Sequence, residues 1–373
     1  MNSLVTPLSV VCLFGIALRL NFKSRTALIL ALLFAFNTTA FLYARFNGNE
    51  PHLSLLLLGS FYFILRLKEK VSWGNVICLG LIISFLIMDH YAAIPLAFIT
   101  VSLIFIRRKE LELTRYHLFA ILFMFLSSLL FCFYYNFARY GSPFITGYDG
   151  QNLSTPVYAG LFGLLFSPGK SVFLYNPLIL LSLFWFRRFF RGRKNIWLYY
   201  FIIFIPLYRL LLYAHWHDWH GGLGWSSRRL LPVIPFLILP LGAALENFTS
   251  LKKYKKILIV FTIFASFLIQ LLSIVVHYKY YWIAIVGDMA GLYLSRFFSF
   301  IDGPFVGQIK ILVSAFSQPR YFDCFWVRQF SSHPLGVSLS ILILLSIMII
   351  SIFNLKKSRA SSTTTAHSRF NRS

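Results

Sequence analysis

The chain has 373 residues, of which 58% are hydrophobic and 19% aromatic, while only 12% are charged. Soluble domains carry about 25% charged residues, so this composition excludes a soluble globular enzyme, a disordered regulator and a secreted disulfide scaffold. The net charge of +24, from 35 basic and 11 acidic residues, is also typical of nucleic-acid binders. Whether the charge indicates a nucleic-acid binder or another class of protein depends on where the basic residues lie in the sequence.

Apolar segments that could cross about 30 Å of hydrocarbon recur along the chain. A backbone in lipid must satisfy its own hydrogen bonds, so these segments predict an all-α, polytopic transmembrane helix bundle. The sequence predicts about eleven spans, at 4–18, 27–43, 53–65, 76–89, 92–106, 118–137, 171–186, 196–214, 230–246, 257–277 and 336–353.

The basic residues divide unequally between alternate connections. One set of connections, with the C-terminal tail, holds 24 of the 35 basic residues, and the rest of the chain holds 11. The positive-inside rule places the first set in the cytoplasm, with the N-terminus outside and the C-terminus inside. Because the basic clusters flank helix ends, they indicate topology and exclude a nucleic-acid partner. The prediction is a multi-pass integral membrane protein.

The predicted organisation is one membrane domain over 1–355, followed by a basic, Ser/Thr-rich tail at 356–373 that we expect to be disordered. The three longest connections, at 138–170, 213–229 and 278–334, all fall on the predicted outer side. Long connections tend to carry function, so any chemistry is expected to face outward. The last connection contains a predicted juxtamembrane helix at 283–300, which would act as a lid or a scaffold.

The cysteines and the N-terminus give little information about the function of the protein. Cys12, Cys78 and Cys132 lie inside predicted spans and Cys324 in an outer loop, so packing is their expected role. The first span has no basic segment before it and no small-residue cleavage site, so no cleavable signal peptide is predicted.

The segment 167–171, Ser-Pro-Gly-Lys-Ser, contains the Gly-Lys-Ser triplet of phosphate-binding P-loops. A P-loop needs a glycine at position 164 and a preceding strand, but residue 164 is Leu164 and no strand is plausible. The P-loop interpretation is therefore rejected. What is left is a Pro-Gly turn that places Lys170 at the outer end of a helix, either facing an anionic head group or as an ordinary loop residue.

The segment 215–229 reads His-Trp-His-Asp-Trp-His-Gly-Gly-Leu-Gly-Trp-Ser-Ser-Arg-Arg. Three histidines and an aspartate are metal-ligand types, although their spacing is not that of a recognised zinc site. Tryptophans also gather at membrane interfaces whatever the function. Neither alternative explains the glycines and the adjacent Arg228 and Arg229, whereas arginine forks suit phosphate and aromatic faces suit sugar rings. The sequence thus favours a phosphate-and-sugar site.

Two outer carboxylates are further candidates. Glu50 lies in the short connection at 43–52. It is either a solvated surface carboxylate, a general base, or a ligand to a metal or a lysine. Asp89 lies in another short turn, where a charge at a membrane boundary is more often structural than catalytic.

Several segments together resemble bacterial membrane glycosyltransferases of the GT-C type, the branch of protein mannosyltransferases and aminoarabinose transferases. The matching segments are 43–51, 135–148, 160–177 and 213–235, and less sharply 323–334. The resemblance implies a GT-C-like fold and an inverting transfer of a sugar from a polyprenyl-phosphate donor to a lipid, glycan or protein acceptor at the outer face of the membrane. It also implies a location in the bacterial cytoplasmic membrane.

The resemblance also implies roles for individual residues. Arg228 matches an arginine that contacts the donor phosphate. Arg229 and Lys170 are assigned to the same role. Lys170 and Ser171 occupy the position at which many relatives have Arg-Gly. Glu50 matches the acidic residue of the second outer loop and is the candidate catalytic base. The residues expected to line the sugar site are Trp216, Asp218, Trp219, His220, Tyr148, Tyr175 and Asn176.

One difference from the family is expected to matter. Family members begin with a cytoplasmic N-terminus, a first span and a large outer loop that bears the catalytic aspartate, whereas this sequence starts at what resembles the second span. We therefore expect the first span and loop to be lacking. This leaves three interpretations: a truncated product, a degenerate homologue, or an enzyme in which another acid such as Glu50 has taken over.

Two other functional classes stay open at the level of sequence. One is a transporter or flippase for an anionic lipid-linked glycan, although no internal repeat is evident and the ionisable residues lie at helix ends. The other is a non-catalytic lipid-binding subunit. The expected partners are a polyprenyl-phosphate-sugar donor, an acceptor and membrane lipids; no cofactor is indicated, and a divalent metal stays open.

Overall fold

The computed structural model describes residues 1–46, 48–148, 152–282, 293–318, 321 and 323. Within these residues the chain is helical and has no strand, and Leu153 and Trp216 form an isolated antiparallel bridge. The predicted all-α membrane helix bundle is confirmed. The predicted span at 336–353, the tail at 356–373 and the first part of the predicted juxtamembrane helix lie outside the described residues.

The first half of the chain forms regular helices joined by short turns. They are α1 (Asn2–Arg19), α2 (Ser24–Asn37), α3 (Ala40–Tyr43), α4 (Glu50–Glu69), α5 (Trp73–Asp89), a 3₁₀ turn (Tyr91–Ala93), α6 (Ile94–Ile106) and α7 (Arg115–Tyr140).

The second half is more interrupted. Its helices are α8 (Val157–Phe166), α9 (Val172–Tyr175), α10 (Pro177–Phe190), α11 (Ile196–Tyr199), a π-helical segment (Tyr200–Phe204), α12 (Ile205–His215), a 3₁₀ segment (Arg228–Val233), α13 (Ile234–Ile238), a 3₁₀ turn (Leu239–Leu241), α14 (Gly242–Glu246), a 3₁₀ turn (Phe248–Ser250), α15 (Lys253–Val275), α16 (Lys279–Tyr281), α17 (Tyr293–Phe298) and α18 (Pro304–Ser317).

Each of the first ten predicted spans overlaps helical chain. Among the described residues, five segments are long and apolar enough to cross a membrane: Asn2–Arg19, Arg115–Tyr140, Ile196–His215, Arg228–Glu246 and Lys253–Val275. Helices α8 and α18 lie inside the connections that the sequence analysis gave as the outer loops 138–170 and 278–334. These connections are therefore partly helical.

Local sequence explains where the first helices begin and end. Pro51 lies in the first turn of α4, where its missing N–H costs no hydrogen bond. Thr114 caps α7 by accepting a hydrogen bond from the backbone N–H of His117, whose side chain bonds back to the Thr114 N–H. The same helix ends at Gly141 in a left-handed conformation, φ 74°, which glycine adopts without strain.

Prolines interrupt the segment Arg228–Glu246, the most buried of the five long ones at 72% of its window. Pro232, Pro235 and Pro240 lack the N–H that a continuous α-helix needs, so the segment alternates between 3₁₀ and α turns. It packs against α4 and α10 in the middle of the bundle, whereas α7 and α15, each 22% buried, lie at the periphery.

The two sets of predicted connections lie at opposite ends of the bundle, one set at each end. At one end, here called the basic end, Lys68 pairs with Glu110 at 2.6 Å and Arg19 with Glu69 at 3.3 Å. The other, here called the site end, is formed by residues 43–46, 48–52, 89–91, 139–148, 152–176 and 213–229. These segments touch, since the Tyr43 hydroxyl donates to the carbonyl of Trp225 at 2.7 Å.

Candidate functional site

Lys170 supports the loop 215–229 from inside the site end. Its side chain is buried and its Nζ donates to the carbonyls of Gly222 at 2.7 Å and Gly224 at 2.6 Å. Burial, together with the charges of Arg228 and Arg229, lowers the pKa of Lys170 well below its usual range, while Asp218 opposes that shift. Lys170 therefore lies beneath the loop, with its ammonium group directed at backbone oxygens; its predicted phosphate contact stays a prediction.

Two glycines make the turn of this loop. Gly221 and Gly222 have φ of 66° and 72°, a region that residues with a Cβ rarely adopt. The backbone N–H of Gly222 donates to Oδ1 of Asp218 at 3.2 Å, which closes the turn. The glycine pair noted in the sequence is thus a structural requirement of the loop.

Asp218 holds Arg229 and His220. Its Oδ2 accepts from Nη2 of Arg229 at 2.8 Å, and its Oδ1 lies 2.9 Å from Nδ1 of His220. Partial burial by itself would raise the pKa of Asp218, but the hydrogen bonds and charges of His220 and Arg229 outweigh it, so the pKa is lowered below its usual range. Asp218 is therefore a charged anchor for Arg229.

Glu50 and Arg228 come together although they are far apart in the sequence. Nε of Arg228 lies 3.5 Å from Oε1 of Glu50, without the alignment of a hydrogen bond. The side chain of Glu50 is 10% exposed and that of Arg228 is 38% exposed. Glu50 and Arg228, both candidates from the sequence, thus form an ion pair, and the side chain of Arg228 remains partly exposed.

Arg209 is a member of this group that the sequence analysis missed. It lies in α12 and is 1% exposed, and its Nε and Nη2 donate to the carbonyl of Arg229 at 3.2 and 2.6 Å. The guanidinium groups of Arg209 and Arg229 both lie over the ring of Tyr213, at 4.9 and 5.1 Å from its centre. A charge within an apolar span marks a functional site by default, and this signal could have identified it.

The three guanidinium groups are incompletely satisfied. Nη1 of Arg209, Nε of Arg228 and Nε of Arg229 are buried and have no hydrogen-bond acceptor among the described residues. Buried donors are nearly always paired in native proteins. An anion with several oxygens, such as a phosphate, is the kind of ligand that would satisfy them.

Tyr148, one of the predicted sugar-lining residues, lies near Asp89, the second of the two outer carboxylates. Together with Asp89 and His90 it lines a cavity of ≈ 390 Å³ at the site end. Burial, followed by the charges of Arg209 and Arg229, lowers the pKa of His90 to about 4, so His90 is neutral near pH 7. Asp89 and His90 therefore lie in the same polar region as Arg209 and Arg229.

The other predicted sugar-lining residues have packing partners. Tyr175 and Asn176 are fully buried; the Tyr175 hydroxyl donates to the carbonyl of Pro168 at 3.2 Å, and Oδ1 of Asn176 accepts from the N–H of Thr39 at 2.8 Å. Trp216 takes part in the bridge to Leu153, and Trp219 packs on Phe298 with ring centres 5.8 Å apart. Their role toward a sugar stays a prediction.

The histidines of the loop do not converge as metal ligands in the part of the chain that is described. Nδ1 of His215 contacts the carbonyl of Thr155 at 2.6 Å, and His220 is held by Asp218. No group of three His, Cys, Asp or Glu side chains that could hold a metal ion occurs among the described residues.

Comparison with known proteins relates the first third of the chain to a protein family. The model of the dolichyl-phosphate-mannose-protein mannosyltransferase family matches residues 1–131. No curated protein sequence and no solved structure matches the chain. The matched segment includes Glu50 and Asp89 and ends before Arg209, Arg228 and Arg229. It confirms the resemblance to GT-C-type glycosyltransferases and supports a membrane protein of that class.

Proposed function

We propose that the chain is an integral-membrane glycosyltransferase which transfers a sugar from a polyprenyl-phosphate-linked donor to an acceptor hydroxyl at the site end. The observation that carries this proposal is Arg228, a partly exposed cation whose Nε lies 3.5 Å from Oε1 of Glu50 without forming a hydrogen bond. The site end faces the outside of the membrane in this proposal, as the distribution of basic residues predicts.

The donor phosphate would contact the guanidinium groups of Arg228 and Arg229. In a direct displacement, the acceptor oxygen forms a bond to the anomeric carbon while the bond from that carbon to the phosphate oxygen breaks. The phosphate leaves with the electron pair, so negative charge develops next to the arginines. Preorganised donors at such a position stabilise the transition state.

The surrounding contacts explain why these arginines would be preorganised. Asp218 fixes the side chain of Arg229, and Arg209 fixes its carbonyl. Glu50 balances the charge of Arg228, whose side chain stays 38% exposed. Ligand binding then requires little reorganisation of side chains.

The proposal predicts that Arg228→Ala lowers turnover of a polyprenyl-phosphate-mannose donor by about 10²- to 10³-fold, because one transition-state donor is lost. Release of polyprenyl phosphate from protein in lipid nanodiscs measures this effect. Arg228→Lys should recover only part of the rate, since lysine lacks the bidentate fork.

Arg45→Ala is the matched control for this experiment. Arg45 is 40% exposed at the same end and pairs with Asp323 at 3.2 Å, so its loss changes charge and exposure in the same way. The phosphate site is wrong if both alanine variants reduce turnover equally, and the transferase proposal is wrong if wild type consumes no donor.

A further inference from the structure

The two carboxylates of the site end have different surroundings. Glu50 is committed to Arg228, whereas Asp89, at the end of α5, faces Nδ1 of His52 at 3.8 Å. Oδ2 of Asp89 is buried and has no hydrogen-bond partner among the described residues, and the same holds for Nε2 of His52. A carboxylate oxygen that has no hydrogen-bond donor can accept a proton.

Asp89 opens on the ≈ 390 Å³ cavity described above. Its aromatic walls include Tyr91 and Tyr148, whose rings are nearly perpendicular at 89°, with centres 6.0 Å apart. His90 lies against Tyr148 with ring centres 6.3 Å apart. Aromatic faces next to a few polar groups are typical of sites that hold a small hydroxyl-bearing group.

The cavity also has a side that faces the lipid. Phe131 and Tyr135 line it from α7, and they are 50% and 47% exposed on a helix that lies at the periphery of the bundle. A molecule in the surrounding bilayer can therefore reach the cavity without crossing the protein.

Among the described residues that line the cavity, the cation is Arg139. Its guanidinium lies over the rings of Tyr135 and Tyr140, and it donates to the Tyr135 hydroxyl at 3.1 Å. No carboxylate of the described residues pairs with it. Its position at the membrane boundary suits the phosphate of a lipid head group.

We infer that this cavity is the acceptor site, that the acceptor is an anionic membrane lipid with a hydroxyl on its head group, and that Asp89 is the general base. This inference rests on the proposed function. Arg139 binds the lipid phosphate, and the head-group hydroxyl approaches the Asp89 carboxylate. As that oxygen atom bonds to the anomeric carbon and the donor phosphate leaves, its proton passes to the Asp89 carboxylate.

The binding half of the inference is tested without the donor. The probe is phosphatidylglycerol carrying a photoreactive diazirine near its head group, in nanodiscs of phosphatidylcholine, with crosslinked peptides mapped by mass spectrometry. We expect crosslinks within 131–148 that unlabelled phosphatidylglycerol suppresses and phosphatidylcholine does not. Arg139→Ala should reduce them severalfold.

Arg115→Ala is the matched control, because Arg115 lies at the other end of the same helix and donates to the Tyr116 hydroxyl at the same distance, 3.1 Å. Crosslinking that is equal in the two variants, or that both lipids suppress equally, overturns the acceptor site. Neither result affects the donor site.

The catalytic half is tested with Asp89→Asn, which keeps the size of the side chain. We expect crosslinking to be retained while formation of glycosylated phosphatidylglycerol from polyprenyl-phosphate-mannose falls about 10²- to 10⁴-fold, the usual contribution of a general base. Asp302→Asn, at an exposed acid, should leave the rate unchanged.

The outcomes separate the two proposals. An Asp89→Asn variant that forms product at the wild-type rate overturns the role of Asp89 while the transferase stands. Donor consumption that depends on Arg228 but gives no glycosylated phosphatidylglycerol overturns the anionic-lipid acceptor. A wild-type protein that consumes no donor overturns the proposed function itself, and the crosslinking result then decides the lipid site alone.

Discussion

Arg228, Arg229 and Lys170 are three cations of one loop region, yet each has a different environment. Arg228 is accessible, Arg229 is held by Asp218, and Lys170 is enclosed by carbonyl groups. All three were assigned to a phosphate from the sequence alone. Residue type and spacing identify a cation, but only the surrounding contacts decide whether it is directed at a ligand or at the backbone.

At the residue scale, Lys170→Met should destabilise the site end by about 1–3 kcal/mol, because buried carbonyls lose their donor. The apparent melting temperature in detergent measures this change, and donor turnover should fall with it because the loop loosens. Lys310→Met is the control, since Lys310 is 53% exposed. An unchanged melting temperature with only a weakened affinity for the donor would instead favour the direct phosphate contact.

At the element scale, the loop is positioned by the close approach of α8 to the end of α12. A Cβ on Gly160 would lie 1.9 Å from the carbonyl oxygen of Ala214, which immediately precedes the loop 215–229. Backbone atoms cannot move aside as a flexible side chain does. The glycine therefore sets the distance between the two helices and thus the position of the loop.

The expected consequence is that Gly160→Ala destabilises the protein by about 1–3 kcal/mol, as overpacking usually does, and lowers transfer activity. Thermal unfolding and donor turnover measure the two effects. Gly74→Ala is the control, since nothing lies within 4 Å of its added Cβ in α5 and alanine favours a helix. A stable, active Gly160→Ala variant would show that the two helices can separate.

At the scale of the whole molecule, the connections that the sequence sorted by charge also separate in space. The basic end collects ion pairs such as Lys68–Glu110, and the site end collects Glu50, Asp89 and the arginines. This separation is what a bundle crossing a membrane requires, and it allows the orientation to be tested with one residue from each end.

Ser142→Cys, at the site end, should react with a membrane-impermeant maleimide in intact cells, whereas Ser250→Cys, at the basic end, should react only after the cells are opened. Both substitutions are made in a background in which the four native cysteines are replaced by serine. The reverse pattern of labelling would place the site end in the cytoplasm and contradict the predicted topology.

The sequence by itself determined the all-α membrane bundle, predicted helical chain at ten segments that the structure describes as helical, and offered the candidates Glu50 and Arg228, because apolar length, basic clusters and loop motifs are local properties. Only the tertiary structure decided which candidates meet. It paired Glu50 with Arg228, placed Lys170 beneath the loop, and revealed Arg209 and the cavity beside Asp89. Contacts between distant helices depend on their packing, which no single segment encodes.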